Sequence, residues 1–296
     1  MQVFYQKYDL FLVFLQIMKI IMIGAGNLAT SLAVALTLTD AGHDILQVYS
    51  RTMQSAQTLA TIAGGAAVTD ISQVRADADV YILSVKDDAL PVLIPQLCRG
   101  REDKLFLHTA GSVSIDVFQG MARNYGVFYP MQTFSRQKRV SFEEIPCFIE
   151  GSGEEETDAI EALASQLSHR VYRLSSEARK YLHLSAVFAC NFVNHCYAIS
   201  AELLEKHGIP FDVMLPLIDE TAAKVHQMLP KDAQTGPAVR YDENVIRAQS
   251  QLLKNNPLVK DIYDRMSMNI HRLSEEFNSF TNHKVPSSKY DKLRFR

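Results

Sequence analysis

The stretch Lys19-Ile20-Ile21-Met22-Ile23-Gly24-Ala25-Gly26-Asn27-Leu28-Ala29 limits what this chain can fold into more than any other. Ile20 to Ile23 form a short, continuous apolar run, as expected of a strand covered on both faces of a parallel sheet. Gly24 and Gly26 permit a sharp turn and the close approach of a pyrophosphate, and Ala29 is small enough for the next helix to lie against the strand. The free N–H groups of that helix's first turn, with the positive end of its dipole, would hold phosphate. A Gly-x-Gly-x-x-Ala match is weak in isolation, and a purely structural turn is the alternative. Here an apolar strand precedes it and the periodic Leu28, Leu32 and Leu36 follow, which is the context the motif needs.

The chain of 296 residues is long enough for two domains, each with its own core. With 47% hydrophobic and 21% charged residues it has the composition of a soluble globular protein, and a net charge of -3 leaves no electrostatic footprint for nucleic acid. Cys98, Cys147, Cys190 and Cys196 are scattered without zinc-site spacing, so no metal is expected. They read as reduced, mostly buried thiols of a cytoplasmic protein. The apolar Phe11-Leu12-Val13-Phe14-Leu15 is too short to span a bilayer and lacks a small-residue cleavage site, so neither membrane insertion nor secretion is expected. Residues 1–17 read as an upstream extension or a mis-assigned start, with an extra surface helix as the alternative. The basic tail Lys284 to Arg296 reads as solvated.

After the first helix, which Gly42 is expected to end, Ile45 to Tyr49 reads as a second strand and leads into Ser50-Arg51-Thr52. An Asp or Glu at this point would bind the ribose hydroxyls of NAD. A guanidinium flanked by hydroxyls suits a 2′-phosphate instead, which points to NADP; a solvated loop arginine is the alternative. Ala67-Val68 is a weak third strand and Asp79 to Val85 a strong fourth, placing Ser84, Val85 and Lys86 at the C-terminal sheet edge, where such sheets bind ligands. Lys104 to His108 is a fifth strand running into Thr109, Ala110 and Gly111, whose small size would let a nicotinamide approach the backbone. Gly126 to Tyr129 is a sixth, entering a loop that carries Gln132 and Thr133 as candidate substrate contacts. Residues 146–150, a helix over 154–167 and residues 170–174 complete the sheet.

From about residue 175 only helices are expected, over 176–206, 211–229, 242–253 and 257–280. The division is therefore a dinucleotide-binding domain over 18–174 and a helical domain over 175–296. The first long helix is apolar nearly all round, which predicts a buried element. At 100° per residue, Lys180, His183, Val187, Asn191 and Asn194 share one stripe. Buried polar groups left unpaired cost about 1–3 kcal/mol each, so the stripe reads either as the wall of a wet cleft or as a network to neighbouring helices. His183 is the candidate proton donor and Asn191 its orienting partner, against the alternative of a satisfied core histidine. In Thr235-Gly236-Pro237-Ala238-Val239-Arg240-Tyr241-Asp242, Asp242 can cap a helix, and Arg240 either pairs with Asp242 or binds an anionic substrate.

Taken together, Gly24 to Ala29, Ser50-Arg51-Thr52, Tyr129-Pro130-Met131-Gln132-Thr133-Phe134, His183 through Asn191, and Thr235-Gly236-Pro237 with Arg240 and Asp242 carry a family resemblance. The chain resembles the superfamily of 6-phosphogluconate dehydrogenase, β-hydroxyacid dehydrogenases, ketopantoate reductase and pyrroline-5-carboxylate reductase. Within it the chain is most similar to bacterial Rossmann-like NADP oxidoreductases whose helical C-terminal domain has no assigned function. The resemblance implies a Rossmann-type sheet, NADP binding and a homodimer formed through the helical domain. The Lys-Asn pair of β-hydroxyacid dehydrogenases does not transfer, because Lys180 is followed one turn later by Leu184. The expected function is NADPH-dependent reduction of a small carbonyl or imine compound between the two domains. The alternative is a non-catalytic NADP-binding sensor or scaffold.

Overall fold

The computed structural model describes residues 17–39, 42–135 and 140–282. The expectations for most of the N-terminal extension, and for the basic tail from Lys284, lie outside the described residues. Eight strands form one sheet in the order β3-β2-β1-β4-β5-β6-β7-β8. They are β1 (Lys19–Ile23), β2 (Asp44–Tyr49), β3 (Ala66–Val68), β4 (Val80–Leu83), β5 (Leu105–His108), β6 (Asn124–Pro130), β7 (Cys147–Gly151) and β8 (Val171–Arg173). The first six are parallel; β7 pairs antiparallel to β6, and β8 parallel to β7.

Alternate residues of β1 feed two different cores, as a strand's period of two requires. Ile20 and Met22 join the core beneath α1 (Asn27–Thr37), α2 (Met53–Ala63) and α4 (Glu154–Ser165), through Leu32, Leu36, Leu59, Ile160 and Leu163. Ile21 and Ile23 join the core on the other face, with Leu90, Ile94 and Leu97 of α3 (Leu90–Cys98) and the aromatic set Tyr81, Phe106 and Phe118. The sheet is thus covered on both faces, the doubly wound arrangement. α1 stops at Thr37, several residues before Gly42, so the expected glycine cap is instead a turn with φ +62°.

The chain divides into two compact units, the first ending at Phe192 and the second beginning at Val193. The sheet unit therefore includes α5 (Ser176–Ala186) and a π-helical turn, Val187–Phe192. The second unit is helical: α6 (Val193–Glu205), α7 (Leu215–Gln227), α8 (Pro230–Ala233), α9 (Pro237–Arg240), α10 (Glu243–Leu252) and α11 (Pro257–Asn282). Among the described residues no helix is long and apolar enough to cross a membrane. Cys98 and Cys147 are buried, whereas Cys190 is exposed and Cys196 half-buried, so burial holds for only two of the four thiols.

His108 ends β5 inside this core. It stacks on Phe118 at 5.9 Å, and its Nδ1 accepts a hydrogen bond from the Ala110 N–H at 3.1 Å. Burial, followed by the nearby Arg179 charge, pushes its pKa down to about 3. The folded ring is neutral, while an unfolded one gains a proton below about pH 6.5, so this contribution to stability is complete above that pH and shrinks as pH falls towards 3. Between pH 7 and pH 5 the loss should be about 2 kcal/mol. Urea unfolding at the two pH values should show it, and His108→Gln should remove that part of the drop; an undiminished drop would assign the acid sensitivity elsewhere.

Candidate cofactor and proton-transfer site

Register decides what meets at the C-terminal edge of the sheet. Ile23 lies opposite Tyr49 and Leu83, Leu83 opposite His108, and His108 opposite Val127. Gly24, Ser50, Ser84 and Thr109 therefore each stand one residue past a common row, and Tyr129 stands two past it. The order reverses between β2-β1 and β4, so the crevice of an open α/β sheet falls between the ends of β1 and β4.

The glycine-rich turn fits a phosphate. Gly24 has φ +115°, and a Cβ there would run into the Ser84 carbonyl and the Val85 side chain, so only glycine lets this turn close on β4. Gly26 faces open space, and Ala29 is fully buried beside β1, with Leu28 half-buried. The first turn of α1 has neither a side-chain cap nor an acidic residue, which leaves its N–H groups for an anion. Asn27 donates from Nδ2 to the Phe134 carbonyl at 3.0 Å, tying the loop after β6 to this turn. On that loop Gln132 and Thr133 are exposed, and the Gln132 amide oxygen accepts from the Thr133 N–H at 2.8 Å.

At the end of β2, Arg51 is exposed and has no ion-pair partner among the described residues. Thr52 caps α2, accepting from the Ser55 N–H at 3.4 Å and donating to the Ser55 hydroxyl at 3.0 Å, so its hydroxyl has a structural duty. Ser84 and Val85 are half-buried and Lys86 exposed, while Thr109, Ala110 and Gly111 are buried. At Gly111 the direction of a side chain is filled by the protein itself: a Cβ would lie 2.5 Å from His183 Nδ1 and 2.9 Å from Tyr129 Cζ. The glycine is there to admit those two side chains.

His183 and Tyr129 form a pair, with the Tyr129 hydroxyl 3.1 Å from His183 Nδ1 and the rings edge to face at 6.0 Å. Tyr129 also packs against Phe148 and is only 9% exposed. Burial raises its pKa, the Arg179 charge opposes that rise, and Cys190 adds to it. His183 is half-buried.

One turn before His183, Arg179 has no exposed surface and forms an ion pair with Glu150 of β7, Nη1 to Oε2 at 2.6 Å. Its Nη2 donates to the Val113 carbonyl at 2.6 Å and to the Ser176 hydroxyl at 3.0 Å. Ser176 in turn donates to Glu150 at 2.6 Å and accepts from the Ile115 N–H at 3.0 Å. This cluster fastens α5 to the sheet and to the loop after Gly111. The pattern of single residues gave no sign of it except an arginine four positions before a histidine on one helix.

α5 is not the buried, apolar element expected. Arg179 is its one fully buried side chain, whereas Tyr181 and Leu184 on it, and Phe188 and Phe192 on the π-helical turn that follows, are exposed. Apolar character says that a side chain needs cover, not that its own chain supplies it. The 100° phase also fails, because the wider i→i+5 turn of Val187–Phe192 rotates everything beyond it. Asn191 is exposed and makes no hydrogen bond among the described residues, so the group that orients His183 is Tyr129.

In the second unit, Asp242 caps α10 by accepting from the Val245 N–H at 3.4 Å. Arg240 is exposed and forms no ion pair with it. Tyr241, at φ +53°, stacks on His271 at 4.1 Å. A cavity of about 520 Å³ runs along α1 of the sheet unit from Asn27 of the glycine turn, lined also by Thr30, Val34, Leu38, Phe142 and Gln166; none of Gly111, Tyr129 and His183 borders it.

Two family profiles match the chain. One, described as NADP oxidoreductase coenzyme F420-dependent, covers residues 19–111; the other, a domain of unknown function (DUF2520), covers residues 145–270. No curated protein matches. Among solved structures, a Bacteroides fragilis protein provisionally described as an NADP oxidoreductase is 53% identical, with a TM-score of 0.82 over 86% of this chain and 98% of that one. A Thermotoga maritima protein is 22% identical, with a TM-score of 0.71 over 86% and 99% of the two chains. An imine reductase of Myxococcus stipitatus in complex with NADP+ is 16% identical, with a TM-score of 0.62 over 87% and 94%. The last two likenesses concern the fold alone.

Gly111→Ala tests the packing of the pair. It should separate His183 from Tyr129 and cost about 1–3 kcal/mol of stability, as overpacking does, while the Gly24 turn stays intact. Urea unfolding together with dinucleotide titration should show the first change without the second; an unchanged stability would mean that the pair moves aside freely.

Proposed function

We propose a function from one premise: the chain belongs to the family of the Bacteroides fragilis protein described as an NADP oxidoreductase. It is an NADPH-dependent reductase of a small carbonyl or imine compound, in which the His183–Tyr129 pair supplies the proton. The observation that carries this reading is that a glycine turn suited to phosphate and the hydrogen-bonded His183–Tyr129 pair lie along one sheet edge. When bound, the nicotinamide would supply a hydride to the substrate carbon. The N–H groups of α1 hold the pyrophosphate, and Arg51 with Ser50 receives the 2′-phosphate, since no carboxylate stands there to repel it. Burial of the Tyr129 ring keeps water from competing for its proton. Gln132 and Thr133, exposed on the loop after β6, contact the substrate.

The exposed Tyr181, Leu184, Phe188 and Phe192 recur every three or four residues, and we infer that a second copy of the chain covers them. Sedimentation equilibrium should give two chains per particle, and a monomer at micromolar concentration would refute the dimer.

Arg51→Ala should weaken NADPH by roughly ten- to hundredfold, the value of a lost charge-assisted hydrogen bond, and leave NADH nearly unaffected. Fluorescence titration distinguishes the two, and equal losses would defeat the NADP assignment. The reductase reading itself is tested by NADPH oxidation against a panel of aldehydes, ketones and cyclic imines. Tight NADPH binding without any oxidation would favour a sensor.

A further inference from the structure

The two members of the proton-transfer pair are not equivalent in position. Tyr129 sits on β6, 9% exposed, two residues past the register row shared by the cofactor-side loops. His183 sits on α5, half-buried, with Nδ1 turned to the Tyr129 hydroxyl. We propose that Tyr129 is the catalytic residue that gives its proton to the substrate, and that His183 acts through it by restoring that proton from solvent. This division rests on the reductase reading above.

The chemistry balances with NADPH as the reductant. As the hydride reaches the substrate carbon, the Tyr129 O–H bond breaks and the proton goes to the substrate oxygen or nitrogen. Protonated His183 then passes its Nδ1 proton to the phenolate, and the neutral imidazole regains a proton from water. The buried phenol keeps its proton until a strong base appears beside it, and an alkoxide or amide anion formed by hydride addition is such a base. Arg179 steadies the transient phenolate, because its cation opposes the burial that makes ionisation of Tyr129 difficult; the Cys190 thiol works the other way. Glu150 holds that cation in place. Placement on a strand also holds Tyr129 more firmly than a loop would.

Two measurements test the relay. In the cofactor-free protein, the Tyr129 ring-carbon NMR signal, assigned with Tyr129→Phe, should shift with the protonation of His183, and His183→Gln should abolish that response. A Tyr129 signal indifferent to His183 would overturn the coupling. In stopped-flow mixing of NADPH-loaded protein with a cyclic imine or an aromatic aldehyde, His183→Gln should oxidise one equivalent of NADPH in a burst and then turn over about a hundredfold more slowly than wild type. Tyr129→Phe should show no burst. A burst kept by Tyr129→Phe and lost by His183→Gln would make His183 the direct donor. Wild type that binds NADPH and reduces none of these compounds would defeat the reductase reading, and the relay with it, a failure visible without any variant.

Discussion

Arg179 carries a full charge with no solvent contact, and β7, the loop after β5 and the start of α5 all meet on its two terminal nitrogens, while Nε has no partner among the described residues. Its guanidinium joins Glu150 on β7, the Val113 carbonyl on the loop after β5, and Ser176 at the start of its own helix. Desolvating such a pair consumes most of what its Coulomb attraction returns, so it is weak evidence for net stability. What it supplies is position. Removing one partner would strand a buried charge at a cost of about 3–5 kcal/mol, so α5 cannot slide or rotate on the sheet without breaking the cluster. His183, one turn further along, inherits that fixed placement.

The sheet edge uses glycine in two different ways. Gly24 is required by its backbone, which has a positive φ and a direct collision between any Cβ and the Ser84 carbonyl. Gly111 has no such backbone need; its missing side chain makes room for two aromatic rings. In the proposed reductase the first would serve phosphate binding and the second proton transfer. Because the parallel register aligns the strand ends, both duties fall within one row of loops.

The central strands were legible because β1 and β4 are buried on both faces, which leaves a continuous apolar run no matter what packs on it; the edge strands β3 and β8 are partly exposed and carry a weaker signal. Ile20 to Ile23 is read from sequence and Lys19–Ile23 is found. α4 was legible for a related reason, its three glutamates at the start and its apolar positions at helical spacing. The long helix after Ser175 was legible as a helix but not in its burial, since Tyr181 and Leu184 look the same whether their own chain or another covers them. Asn191 was misplaced because a π-helical turn leaves no mark in hydrophobic spacing, yet it shifts the phase of every later residue. Tyr129, Arg179 and Glu150 lie far apart in sequence, and only the pairing of β6 with β7 and the docking of α5 bring them together.

That one cation also sorts protonation states along the edge. Arg179 acts in the same direction on two neighbours, lowering the pKa of both His108 and Tyr129. For the histidine, burial works in the same direction, so the imidazole stays neutral and its Nδ1 remains an acceptor for the Ala110 N–H. For the tyrosine, burial works in the opposite direction and is the larger effect, so the phenol stays protonated but is easier to ionise than burial alone would allow. A neutral leucine at position 179 would need no ion-pair partner, but it would remove both the anchor for His183 and the field that makes ionisation of Tyr129 less costly. The buried charge therefore makes better sense as a device for geometry and proton affinity than as a source of stability.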